Sequence, residues 1–217
     1  MSPPVKSRRR YDSSRRQAAA RARRAAVLEA ARGLFVRRGF GGTTVGAVAE
    51  EAGVSPETVY KVFGGKTGLV EALYREALRG EGPVPAYERS DHLRTRPDPR
   101  EVVRGWARLA MEVAPRASAV QLLVRDAALV DPQLRGVLDE MDDARHRRMT
   151  ENAEYLHAAG HLRPGVTVEW AADVMWAVTA PETYELLVLR RGWSLERFAD
   201  HVDNTVSGLL RSEASPD

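Results

Sequence analysis

Apolar residues recur three and four positions apart through most of the chain and show no sustained period-two alternation, so an all-helical protein is expected. The first stripe is Val27, Ala31, Leu34 and Phe35, in a helix running from about Gln17 to Arg38. Gly39 ends that helix, and Phe40 is placed to fold back on its last turn. Thr44 caps a short helix from Val45 to Ala52 whose inner face is Val45, Val48, Ala49 and Ala52, and Gly53 stops it. Ser55 caps the next helix, with Pro56 at the first position, where no amide proton is needed. Its inward stripe is Val59, Val62 and Phe63, and Glu57, Tyr60 and Lys61 point the other way. A fourth helix, about Lys66 to Arg79, buries Leu69, Val70, Leu73 and Ala77.

Residues 80–97 hold three prolines and two glycines, which forbid a long element and mark a junction. Asp98, Pro99 and Glu101 then start a helix carrying Val102, Val103, Trp106, Leu109, Ala110 and Val113, which Pro115 is expected to break. Ala117 to Val130 reads as a nearly all-apolar, buried helix interrupted by Gln121 and by Arg125-Asp126. Asp131-Pro132 opens a helix that can run to Ala159, roughly 40 Å at the usual rise. Thr167 caps a helix through Val178, Pro181 kinks or restarts the chain, and Gly192 ends that segment. Ser194 caps a final helix to Leu210, with Leu195, Phe198, Val202, Val206 and Leu209 in register. Nine or ten helices result, with no internal repeat.

Charge changes this picture. Residues 1–79 hold 16 Lys and Arg against 7 Asp and Glu, and the remainder holds 17 against 23. A basic N-terminal third beside an acidic remainder points to a polyanion met by the first part only. Residues 1–16 lack apolar periodicity and read as a disordered basic arm, either solvated or adding phosphate or minor-groove contacts. With 43% apolar residues a proper core is possible, and the absence of cysteine excludes disulfides and thiolate metal sites. No signal-like run and no stretch of about 18 apolar residues occurs, so a cytoplasmic protein is expected.

Two short helices joined by a glycine-containing turn make a helix-turn-helix. The frame TTVxxVAxxAGVSxxTVYxxFGGKxGL, from Thr43 to Leu69, resembles the N-terminal domain of the tetracycline-repressor (TetR) family. The resemblance implies DNA-backbone contact by Thr58, Tyr60 and Lys66, with further backbone contact near Thr44. Residues matching Pro56, Glu57 and Lys61 meet base edges in some members, and Ser55 completes the DNA-facing set. Many members carry histidine or tyrosine where this chain has Val62, so one phosphate contact is lost. The resemblance also implies a palindromic double-stranded operator, a homodimer and a small-molecule effector. It further implies a four-helix bundle made by the last two long helices of each subunit. The stripes at Thr167–Val178 and Ser194–Leu210, including Phe198 and Val202, fit that role.

The expected organisation is therefore an arm (1–16), a three-helix DNA-binding domain (17–79), a junction (80–97) and a larger helical domain for effector binding and dimerisation (98–211). Trp106, Met111, Met149, Trp176 and Tyr184 suit an effector cavity as a set, and Leu122 joins them. Arg125 and Asp126 are either buried charges paired with neighbours or a point of contact with the ligand. The run Arg145 to Arg148 reads as a solvated helix face, and His157 and His161 as cations at a helix C-terminus rather than metal ligands. GGKT has part of the phosphate loop of NTPases, but Tyr60 stands where the first glycine is needed and a helix precedes in place of a strand. No catalytic motif and no cofactor loop is present, so neither an enzyme nor a cofactor is expected.

Overall fold

The computed structural model describes residues 7–212, with side chains from Ser14 onward. Helices make up nearly all regular structure among the described residues, and the chain divides into two compact units, up to Leu73 and from Tyr74.

The first unit holds α1 (Ser7–Arg38), α2 (Val45–Glu51), α3 (Pro56–Phe63) and the start of α4 (Lys66–Arg79). Helix α1 begins ten residues before the expected Gln17, because alanine and arginine favour helix and no proline follows Pro4 in this stretch. Residues 1–6 of the expected basic arm lie outside the described residues. Val27, Ala31, Leu34 and Phe35 are buried, and Phe40 stacks on Phe35 with ring centroids 5.8 Å apart. Thr43, fully buried, donates its hydroxyl to the Gly39 carbonyl at 2.8 Å and fixes the turn before α2. Thr44 Oγ1 accepts from the Ala47 amide at 3.1 Å, and Ser55 Oγ accepts from the Thr58 amide at 3.3 Å. Gly64 ends α3 in the left-handed conformation, with φ at 76°. One inward position differs from expectation: Val59 is buried, whereas Val62 is half exposed and Phe63 only half-buried. The Arg24 guanidinium lies over the Phe63 ring, 4.8 Å from its centroid, and so covers it in part.

The second unit contains the end of α4, α5 (Ala86–Leu93), α6 (Pro99–Ala128), α7 (Pro132–Ala158), α8 (Val168–Val178), α9 (Pro181–Tyr184), a π-helical segment (Glu185–Arg190) and α10 (Leu195–Ser207). Three expectations are corrected here. The stretch 80–97 contains a real helix, α5, held by burial of Ala86 and Ser90. Helix α6 passes through Pro115 without a break: the Met111 carbonyl loses one amide partner, but more than three turns lie on each side and packing on α7, α9 and α10 holds them in line. Helix α10 stops at Ser207, because the chain beyond it pairs with the segment after α7. There the Arg163 amide donates to the Leu209 carbonyl at 3.0 Å and the Arg211 amide to the His161 carbonyl at 2.9 Å. The core joins Val103 and Ala107 of α6, Leu156 of α7, Met175 of α8 and Phe198 and Val202 of α10.

Candidate nucleic-acid surface and effector cavity

On the first unit, α3 presents Pro56, Glu57, Tyr60 and Lys61 to solvent, all exposed. Tyr60 keeps 57% of its surface accessible, unusual for a tyrosine that has no buried role. Hydrogen bonding to Ser55, and then to its own amide, holds the Glu57 carboxyl below the usual carboxylate range. Thr58 is half-buried, with its hydroxyl 3.2 Å from that of Ser55, and Thr44 is exposed. Lys66, half-buried, donates to the Phe40 carbonyl at 2.8 Å and lies 4.1 Å from the centroid of the Phe40 ring. Its ammonium therefore ties α4 to the turn after α1 and keeps further protons for an anion. Sequence reasoning saw the charge of Lys66 but not this tether, which depends on a partner 26 residues away. The six residues Ser55, Pro56, Glu57, Thr58, Tyr60 and Lys61 lie on one cap and helix, and with Thr44 and Lys66 they make one candidate surface.

The second unit holds a partly open cavity of about 350 Å³. Its walls are largely apolar: Leu109 and Val113 on α6, Met175 on α8 and Phe198 on α10. Of the residues expected to line it, Trp106 and Met149 do so. The Trp106 indole N–H donates to the Ser90 carbonyl at 3.3 Å, and its ring meets Tyr155 edge-on. The others lie outside the lining. Met111 and Leu122 are one residue off the inward row Trp106, Ala110, Ala114, Ala117, Gln121, which continues past Pro115 because the helix is unbroken there. Arg125 is taken by carboxylates, 2.9 Å from Glu185, 3.0 Å from Asp126 and 3.6 Å from Glu182; the charges pair, but they are not buried as expected, since Asp126 is exposed and Arg125 half-buried. Trp176 packs against His146 and the Arg145 guanidinium, and Tyr184 is buried edge-on to Phe198.

The cavity instead recruits side chains from the run read as a solvated face. Arg145 keeps 13% of its side chain accessible, donating to the Trp176 carbonyl at 3.1 Å and the Thr179 carbonyl at 3.3 Å. These carbonyls close the C-terminal end of α8, where a cation is favoured. Arg148 bonds Asp91 at 2.7 Å and Glu151 at 3.0 Å. A signal was present: Leu134, Val137, Met141, Arg145, Met149, Asn152 and Leu156 follow one helical stripe, so Arg145 stands in an inward position. Tyr74, on α4, also lines the cavity, and burial drives its phenol far above its ordinary value, so the hydroxyl stays protonated.

Residues 27–73 match a family described as bacterial regulatory proteins, tetR family. A helix-turn-helix transcriptional regulator of Bacillus subtilis (strain 168), YvkB, is 40% identical over 58 residues, which is 27% of this chain and 31% of that protein. The match thus spans about a third of that relative's length. Among solved structures, the SmeT–triclosan complex is 19% identical, with a TM-score of 0.70, covering 90% of this chain and 100% of that chain. A protein of Saccharomonospora viridis, described as a transcriptional regulator in complex with choline, is 22% identical with a TM-score of 0.66, covering 89% and 100%. At these identities the structural likeness is one of fold, and it reaches across both units. These matches are to regulators, not enzymes. No helix among the described residues is long and apolar enough to cross a membrane. Residues 27–73 thus match the tetR family of bacterial regulatory proteins, and the chain as a whole shares an all-helical fold with the solved regulators.

Proposed function

We propose that the protein is a cytoplasmic, homodimeric, sequence-specific DNA-binding regulator, and a repressor released from its operator by a small, largely apolar effector. The observation that carries DNA reading is the outward face of α3, where Glu57, Tyr60 and Lys61 stand exposed on a capped helix two turns long. In this reading the expected DNA-binding domain, 17–79, lends Tyr74 and Leu78 to the effector site, the junction 80–97 lends Ala86, Tyr87 and Ser90, 98–211 supply the remainder of that site and the dimer contact, and the basic arm of 1–16 is helical from Ser7. Tyr60, Thr58, Thr44 and Lys66 meet phosphates. Pro56, Glu57 and Lys61 face base edges, a carboxylate accepting from cytosine N4 and an ammonium donating to guanine O6 and N7.

The test is selection of bound fragments from random duplex DNA, repeated with Lys61→Ala. A palindrome with half-site centres roughly 34–36 Å apart is expected. The variant should lose discrimination at one position per half-site, worth about 1–3 kcal/mol there. If base preference survives at every position, Lys61 meets only phosphate; if no DNA is enriched, the DNA-binding reading falls.

The dimer contact has to be drawn differently from the sequence expectation. Phe198 and Val202 are buried within their own subunit and cannot face a partner. The apolar side chains left open near them are Leu186 and Leu189, 53% and 59% accessible, three residues apart on the π-helical segment. Leu189→Glu should give folded monomers at micromolar concentration in sedimentation velocity. A dimer unmoved by this change and by Leu186→Glu would put the interface on another surface.

The effector reading rests on this partly open, largely apolar cavity, whose volume is at the low end of the usual range of about 300–1,000 Å³ for small-molecule sites. Two solved relatives hold triclosan and choline. Tyr74 and Leu78 of the lining belong to the same helix as Lys66, so a ligand that favours one setting of α4 acts on a DNA-facing residue through continuous backbone. A hundredfold preference for the DNA-free state is about 2.7 kcal/mol of coupling, within the common allosteric range.

A further inference from the structure

The cavity has a sign. Its charged lining residues are Arg145 and Arg148, and no aspartate or glutamate lines it. Arg148 is already neutralised by Asp91 and Glu151. Arg145 is not served in the same way. Its two terminal nitrogens are spent on main-chain carbonyls, and its Nε, buried, has no hydrogen-bond partner. The nearest carboxylate, Asp142, is 3.9 Å from that Nε, beyond hydrogen-bond reach, and accepts instead from Gln121 Nε2 at 3.2 Å. A second donor faces the same want: the Tyr74 hydroxyl is buried without a partner, on a residue with 5% of its surface accessible. The two belong together electrostatically, since the Arg145 charge acts on the Tyr74 phenol. Two buried donors without acceptors are costly unless something supplies the acceptor. Away from them the walls are Val113, Met149, Met175 and Phe198, with Trp106 as a large flat surface.

Resting on the reading of this cavity as the effector site, we propose that the effector is a small organic acid: an apolar, preferably aromatic body ending in one carboxylate, held by Arg145 Nε and the Tyr74 hydroxyl. A carboxylate is the acceptor that both donors lack, and it has an oxygen for each. Its charge sits beside a guanidinium already removed from water, where attraction is stronger than at the surface. A cationic ligand of the choline kind is disfavoured here, because it would meet two arginines and no lining carboxylate.

The experiment uses the full-length protein and three skeletons, 3-phenylpropionate, 2-naphthoate and octanoate, each beside its primary amide and its primary amine. Binding is followed by calorimetry and by tryptophan fluorescence. At least one carboxylate should bind about tenfold or more tightly than its amide, the usual worth of a charge-assisted hydrogen bond, and its amine should not bind. Tyr74→Phe removes only the unpartnered hydroxyl and should keep the fold while cutting that preference several-fold. Arg145→Met should bring carboxylate and amide to equal affinity; because Arg145 also ties down α8, the tyrosine variant stands as the independent test. If amides or amines bind as well as acids, the cavity remains an effector site and the acid reading is overturned. If preference for the acid survives in Tyr74→Phe and in a folded Arg145→Met, the two donors do not hold it. If no probe of any charge binds or alters fluorescence, the cavity reading falls with the proposal.

Discussion

Phe198→Glu is expected to unfold the second unit rather than to separate subunits. Phe198 has no accessible surface, meets Tyr184 edge-on at 5.6 Å and forms part of the cavity wall. Losing the ring alone costs about 3–5 kcal/mol in comparable cores. A carboxylate in its place adds the cost of burying a charge with no partner. Together these approach the whole stability of a typical domain, roughly 5–15 kcal/mol. The buried carboxyl would have its pKa raised above the unfolded value of about 4.3, so the penalty should be least below that pH and grow as pH rises. Circular dichroism through a urea titration at two pH values, with sedimentation velocity, checks this. A folded monomer of native stability would instead show that Phe198 faces a partner.

The second large effect is expected at Gly68, the third residue of α4. A β-carbon there would run into the Phe63 carbonyl oxygen, far inside any non-bonded approach, and the neighbour is backbone rather than a side chain that could swing aside. Gly68→Ala must therefore push the end of α3 away from the start of α4. Overpacking of this kind costs about 1–3 kcal/mol and at times more. The displaced elements carry Tyr60, Lys61 and Lys66, so operator affinity should fall at least about tenfold, because base and phosphate contacts are sensitive to position. Gly46→Ala is the control. Its β-carbon would have only the Thr44 hydroxyl near, at 3.8 Å, and at the second position of α2 alanine should hold or improve stability by up to about 1 kcal/mol. Both are read by thermal unfolding and by gel shift on the selected operator. If Gly68→Ala keeps full stability and affinity, the close passage between α3 and α4 is not a constraint in solution.

The first unit was the more legible from sequence. Its boundaries follow from local chemistry: Thr44 and Ser55 as caps, Pro56 at a first position and Gly64 in a left-handed turn. Each acts within four residues, so a linear reading reaches it. The outward set Glu57, Tyr60 and Lys61 followed from helical spacing in the same way. The inward position of Val62 did not, because spacing alone does not say which residues of a stripe a neighbouring element covers, and Val62 is left half exposed.

The second unit shows the limit of that approach. Pro115 has the local signature of a helix end, yet α6 continues through it, since partners on three other elements outweigh one missing hydrogen bond. Arg145 to Arg148 has the signature of a solvated face, yet Arg145 turns inward to the end of α8, a site made by carbonyls more than thirty residues along the chain. The stripes of α8 and α10 were legible as buried, but whether their cover came from the same subunit or a second one is not written in periodicity, and Phe198 and Val202 are covered within the subunit. Taken alone, the sequence determined the helical class, the capped reading helix and the uneven charge, all of which depend on residues close together in the chain. Tertiary structure decided which apolar residues wall the cavity, where its two unpaired donors stand and how Lys66 is tethered, because each requires side chains far apart in sequence to meet in space.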